Sequence, residues 1–191
     1  MKTALKIIRS FIEDKKPKTI RELARQIRAD YRITHIAVQR LIAQTILTVQ
    51  TIGKSSLCAL NPTYYGVEIY EAEHERKQDI IKKSDINQLY KEIMSKLPST
   101  FCVMLIFGSY AKCTATKTSD IDLLFISNEK DFENNITAIL SLLPLKTHVL
   151  VFTEEEFVRM KDAKKPNVVH EVIQHNIILY GIETYYVMKH A

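Results

Sequence analysis

The sequence predicts an α+β protein of two domains, and three observations carry that reading. The first third reads as three helices followed by a β-hairpin, with apolar residues at helical and then at alternating spacing. The remainder opens on a new amphipathic helix and then holds two apolar runs, one ending at Gly108 and the other beginning at Asp120 and Asp122. Charge divides the same way. Residues 1–66 hold 12 Lys and Arg against 4 Asp and Glu, so the formal net charge of +5 conceals a basic head on a mildly acidic body. The predicted limits are a head over 1–66, a connecting helix over 67–84 and a second domain over 85–191.

Each element has its own justification. TALKIIRSFIED at 3–14 sets Leu5, Ile8, Phe11 and Ile12 on one helical stripe, and Pro17 follows as a break. Thr19 followed by Glu22 has capping-box spacing, which starts a second helix over 20–27. A third is expected over 34–46, with Ile36, Leu41 and Ile42 inward and Thr34, His35, Gln39, Arg40 and Gln44 outward. LTVQTIGKSSLCAL then alternates about a Gly-Lys-Ser turn as a hairpin.

Three helices and a hairpin in this order resemble a winged helix-turn-helix over about residues 3–61. What that resemblance implies is a DNA-binding head whose third helix enters the major groove and whose wing meets the backbone. By position, Thr34, His35, Gln39 and Arg40 become candidates for base edges, with Lys54, Ser55 and Ser56 near phosphates. A head that mediates dimerisation or packs on the second domain is the competing reading.

Residues 64–84 are rich in Glu, Lys and Gln with no strong apolar stripe, as a connecting helix would be. After Ser84 come Ile86, Leu89, Tyr90, Ile93, Met94 and Leu97 on one helical side, ended by Pro98. FCVMLIF at 101–107 is a continuous apolar run, the signature of a strand buried on both faces, and Gly108 and Ser109 interrupt it. The next strand is DIDLLFI at 120–126. Side chains alternate along a strand, so Asp120 and Asp122 share a face while Ile121 points into the core.

Two carboxylates on one face suit a hard cation. Magnesium takes oxygen ligands and completes its shell with water and substrate phosphates. Gly108, lacking a Cβ, lets the backbone approach a phosphate, and the Ser109 hydroxyl can donate to it. Lys112 and Lys117, in the intervening loop, supply positive charge.

Gly-Ser, ten residues and then Asp-x-Asp, each half with an apolar strand, resembles the polymerase-β-like nucleotidyltransferase superfamily, specifically its minimal nucleotidyltransferases, over about residues 86–180. The resemblance implies a mixed twisted sheet flanked by helices, with Gly108, Ser109, Lys112 and Lys117 at the triphosphate and Asp120 and Asp122 on Mg2+. The implied reaction moves a nucleoside monophosphate, AMP from ATP, onto a hydroxyl. Minimal nucleotidyltransferases are often antitoxins that modify small helical HEPN proteins with AMP, which implies a partner of that kind. Active members usually carry a third carboxylate on a later strand. Here that strand is THVLVF at 147–152, and the matching position is His148. Three readings of His148 remain: a general base, the mark of a domain that binds nucleotide without transferring it, or a strand-end histidine with no role.

The remaining features point to ordinary structure. Thr153 with Glu156 is a second capping box, so the EEE run reads as a helix start rather than a metal site. VVHEVIQH reads as a helix with His170 and His175 on its polar side, and IILYG as a short last strand. Cys58, Cys102 and Cys113 lack metal-ligand spacing and read as reduced thiols. No apolar run approaches the roughly 20 residues that cross a bilayer, and no secretory leader is recognised, so a cytoplasmic protein is expected.

Overall fold

A computed structural model of the protein describes residues 2–53, 55–97, 102–116 and 118–191. The chain divides into two compact units, residues 1–73 and 74–191. The first unit starts with α1 (Thr3–Glu13), which buries Ile7, Ile8, Phe11 and Ile12. A short strand, β1 (Lys18–Thr19), precedes α2 (Ile20–Gln26). The capping box at the start of α2 is complete: the Glu22 backbone N–H donates to Thr19 Oγ1 at 3.2 Å, and the Thr19 N–H donates to the Glu22 carboxylate at 2.7 Å. Lys18 is turned inward, donating to the Ser10 and Asp14 carbonyls at 3.3 and 2.6 Å, and burial holds its ammonium below the ordinary lysine pKa.

The third helix, α3 (Tyr31–Ala43), begins earlier than its apolar pattern suggests, because Asp30 caps it by accepting from the Arg32 and Ile33 N–H groups. This shifts the inward face. Thr34, Val38 and Leu41 are buried, whereas Ile36, expected inside, is 53% exposed. β2 (Leu47–Ile52) and β3 (Ser55–Leu60) form the antiparallel hairpin, with Leu47 opposite Leu60 and Gln50 opposite Leu57. β1 adds to the far side of β3, giving the order β1-β3-β2. That third strand was not expected, since two residues carry no alternation to read.

α4 (Val67–Ile80) follows, and the division between the units falls inside it. Ile69, Ala72, Glu73, Arg76 and Ile80 are buried and do form a helical stripe. Two charged residues occupy it, which is why no apolar stripe was visible. In the second unit, Arg76 donates to the Asn176 carbonyl at 2.5 Å, and Asn176 donates to the Val172 carbonyl and the Tyr185 hydroxyl.

The second unit continues with α5 (Ser84–Lys96), β4 (Val103–Ile106), α6 (Gly108–Ala111), β5 (Ile121–Ile126), α7 (Phe132–Ser141) and β6 (Thr147–Phe152). It closes with α8 (Glu154–Lys161), α9 (Val168–Gln174), β7 (Ile177–Tyr180) and α10 (Ile182–His190). The sheet is mixed, in the order β6-β5-β4-β7, with β5 parallel to β6 and β4 antiparallel to both of its neighbours. One sheet face, through Met104, Ile106, Ile121, Leu123, Phe125, Ile177 and Leu179, joins a core with Ile86, Leu89 and Ile93 of α5 and Ile136 and Leu140 of α7. Outside this core, Phe157 of α8 packs against Tyr185 of α10 with ring centroids 6.0 Å apart. α7 and α10 were not anticipated. α7 starts at Asp131 in a left-handed conformation with no side-chain cap, and α10 is only nine residues long and buries Tyr185, Tyr186 and Met188.

Candidate active site

β4 and β5 run side by side in opposite directions, so the end of β4 meets the start of β5. Phe107 extends β4 and donates its N–H to the Asp122 carbonyl at 3.0 Å. The chain then turns at Gly108 with φ +62°, a left-handed conformation that favours glycine. A Cβ built on Gly108 would stand 2.0 Å from Asp122 Oδ2. The missing side chain therefore makes room for a carboxylate of the site itself. Gly108 and Ser109, expected to interrupt the strand, do so in the first turn of the short helix α6.

The connection back to β5 is tied down locally. The Thr114 N–H donates to the Ser109 carbonyl at 2.9 Å, and the Thr116 N–H donates to Ser119 Oγ at 2.9 Å. The Ile121 N–H then donates to the Lys146 carbonyl at 2.9 Å, which starts the parallel pairing with β6. Asp120 is exposed immediately before β5, and Asp122 is the second residue of that strand. Ile121 and Leu123 are buried in the core described above, so Asp122 points to the opposite side.

Parallel register places His148 directly beside Asp122. Its Nδ1 lies 3.4 Å from Asp122 Oδ1, with the side chains 60% and 26% exposed. Gly108, Asp122 and His148, drawn from three elements, thus meet at one end of the strands. The ammonium of Lys112, expected near the phosphates, is paired with Glu171 of α9 at 2.7 Å. No local pattern could have signalled that partner, 59 residues away. Lys117 lies outside the described residues. A cation that sequence reasoning passed over is Lys83, whose Nζ stands 5.0 Å from the centre of the Tyr110 ring of α6.

The donor set suits magnesium. Asp120 and Asp122 offer hard oxygens, and the missing side chain of Gly108 leaves room for the carboxylate of Asp122. Among the described residues no three His, Cys, Asp or Glu side chains converge as a metal cage, so such an ion would take the rest of its shell from water and phosphate. Of the cysteines, Cys58 and Cys102 are buried, and burial pushes the Cys102 thiol up to about 11.

A family model described as Polymerase beta, Nucleotidyltransferase matches residues 87–184, just over half of the chain. The chain belongs to that family. No curated protein and no solved structure matches it. The nucleotidyltransferase match runs from α5 into α10 and takes in all four strands of the mixed sheet together with Gly108, Ser109, Asp120, Asp122 and His148. Membership of the nucleotidyltransferase family implies a nucleotide substrate, and domains of this kind typically use divalent metals. Among the described residues no helix is long and apolar enough to cross a membrane.

The first unit lies outside the nucleotidyltransferase match. Of the residues expected to face DNA there, His35, Gln39 and Arg40 are exposed on α3. Thr34 is not: it is 0% exposed, and its hydroxyl donates to the Asp30 carbonyl at 2.8 Å, one turn back along the helix. The earlier start of α3 rotated it inward, which corrects the expectation that it reaches a base edge. Lys54 lies outside the described residues.

Proposed function

We propose that this protein transfers a nucleoside monophosphate, AMP from ATP, to a hydroxyl acceptor in a magnesium-dependent reaction. The observation that carries this reading is the packing of Gly108 against the Asp122 carboxylate with His148 beside it. Asp120 and Asp122 hold Mg2+, which when bound neutralises charge on the phosphates. Gly108 and Ser109 cradle the triphosphate with backbone N–H groups and a hydroxyl.

The acceptor oxygen attacks the α-phosphorus, forming the new O–P bond as the bond to the β-phosphate oxygen breaks and pyrophosphate leaves. His148 takes the acceptor's proton. With Nδ1 turned to Asp122, its Nε2 is the basic atom, the carboxylate fixing the tautomer as in other His–carboxylate pairs. The resemblance to minimal nucleotidyltransferases supports a protein acceptor, a small helical partner of the HEPN kind in a toxin-antitoxin pair.

A second reading is favoured by His148 standing where active members usually carry a carboxylate. In it the first unit is a winged helix-turn-helix that binds DNA through His35, Gln39 and Arg40 of α3 and Lys54 of the wing, and the second unit binds nucleotide without transferring it. Incubation with each α-labelled NTP and Mg2+, alone and with cell extract, separates the two. Labelled product and pyrophosphate, both lost in Asp120→Ala and Asp122→Ala, support transfer. Nucleotide-dependent DNA affinity with no pyrophosphate supports regulation and sinks the transferase.

A further inference from the structure

We propose that the first unit carries a binding site for single-stranded nucleic acid, in a concavity of about 450 Å³ lined by Arg21, Arg25, Arg28 and Tyr31 together with Ala24 and Ala29. The site stands on the first unit alone and does not rest on the transfer reaction. Arg21 and Arg25 lie about one turn apart on α2, about 6 Å along its axis. Arg28 continues the row just past the end of the helix. All three are exposed, and none has an ion-pair partner among the described residues. The nearby carboxylates are turned elsewhere: Glu22 is held by Thr19, and Asp30 caps α3. The basic residues of this unit are not all available in this way, since Lys18 is consumed inside it.

Arg28 has φ +53°, in the left-handed region where a helix end most readily takes glycine. An arginine there keeps a charged side chain on the concavity at a backbone cost of about 1 kcal/mol. A row of three unpaired guanidiniums matches successive phosphates along a strand better than one isolated phosphate. Tyr31 decides the form of that strand. The residue is 50% exposed and lines the concavity, with the His35 ring centroid 6.1 Å from its own. A base in a duplex is covered above and below by its neighbours, so only an unpaired base can stack on this ring. Phosphates on a basic track and a base on an aromatic face are the two elements of strand binding without sequence readout.

The test uses the full chain and fluorescein-labelled 15-nucleotide strands of mixed sequence, as RNA and as DNA, the matching duplex, and ATP as competitor, read by anisotropy across a salt series. Expected is strand binding at least tenfold tighter than duplex binding, with whichever of RNA and DNA binds more tightly naming the source. The triple Arg21→Gln, Arg25→Gln, Arg28→Gln variant loses at least a hundredfold in affinity. Its slope of log K against log salt becomes shallower by about 2, because each phosphate contact on a single strand contributes about 0.7. Tyr31→Ala loses about tenfold at every salt concentration, and Tyr31→Phe restores it. Thermal melts show that the variants fold. Duplex binding as tight as strand binding, unchanged affinity in the arginine variant, or displacement of the strand by equimolar ATP would each overturn the proposal.

Discussion

Gly108 and Asp122 are in such close contact that the site has no room for a side chain at residue 108: a Cβ there would lie 2.0 Å from one carboxylate oxygen and 2.9 Å from the carboxyl carbon. Gly108→Ala therefore has two costs. The left-handed φ of +62° disfavours any L side chain by about 1 kcal/mol, and Asp122 has to swing away. The expected result is a melting temperature lower by about 3 °C or more, with nucleotide binding, measured calorimetrically, weakened at least tenfold. A fully folded variant that still binds nucleotide normally would contradict the geometry.

His148 faces Asp122 across the parallel pairing of β5 and β6, and its proposed role is proton acceptance. His148→Gln keeps the size and polarity of the side chain but cannot take a proton. Turnover should fall by about 10² or more, with the KM for the triphosphate little changed. A raised KM with turnover unchanged would assign His148 to binding instead.

Both capping boxes titrate in the acid range. Backbone N–H donation from Thr19 and Thr153 holds the carboxyls of Glu22 and Glu156 below the ordinary 4.5. A carboxyl depressed on folding contributes stability that is fully present above its unfolded pKa and is lost as pH falls through its folded one. Stability should thus decline as pH drops below about 4.5, and Glu22→Gln with Glu156→Gln should flatten that part of the curve. Carbon-detected NMR titration of the two carboxyls checks the direction residue by residue.

The register of α3 is open to a stability test. Leu41 is buried, so Leu41→Ala should cost about 2–5 kcal/mol. Ile36→Ser, at an exposed site, should change stability by no more than about 0.5 kcal/mol. Chemical denaturation of both variants decides it, and a large cost at Ile36 would mean that the apolar pattern, not the Asp30 cap, sets the helix face.

Much of this protein was legible residue by residue. The capping residues Thr19 and Thr153 start α2 and α8 as their spacing predicts, because a cap acts within one turn of chain. β6 covers 147–152 as predicted, and the carboxylates of the family signature sit at the start of β5. Signals that are local in sequence survive folding. What failed was information that no local window contains. The inward face of α3 followed the cap at Asp30 instead of Ile36, α4 buried a stripe holding Glu73 and Arg76, and β1 exists only because β3 offers it an edge. The site divides along the same line. Gly108 and Asp122 could be picked out singly from spacing and His148 from the family resemblance, but only strand pairing brings residues from three elements into contact, and only long-range packing gives Lys112 to Glu171. The sequence by itself determined most of the elements, though not β1, α7 or α10, and the chemistry of their side chains, through interactions spanning a few residues. The tertiary structure alone decided which side chains meet, because sheet register and helix packing are set by burial summed over the whole core.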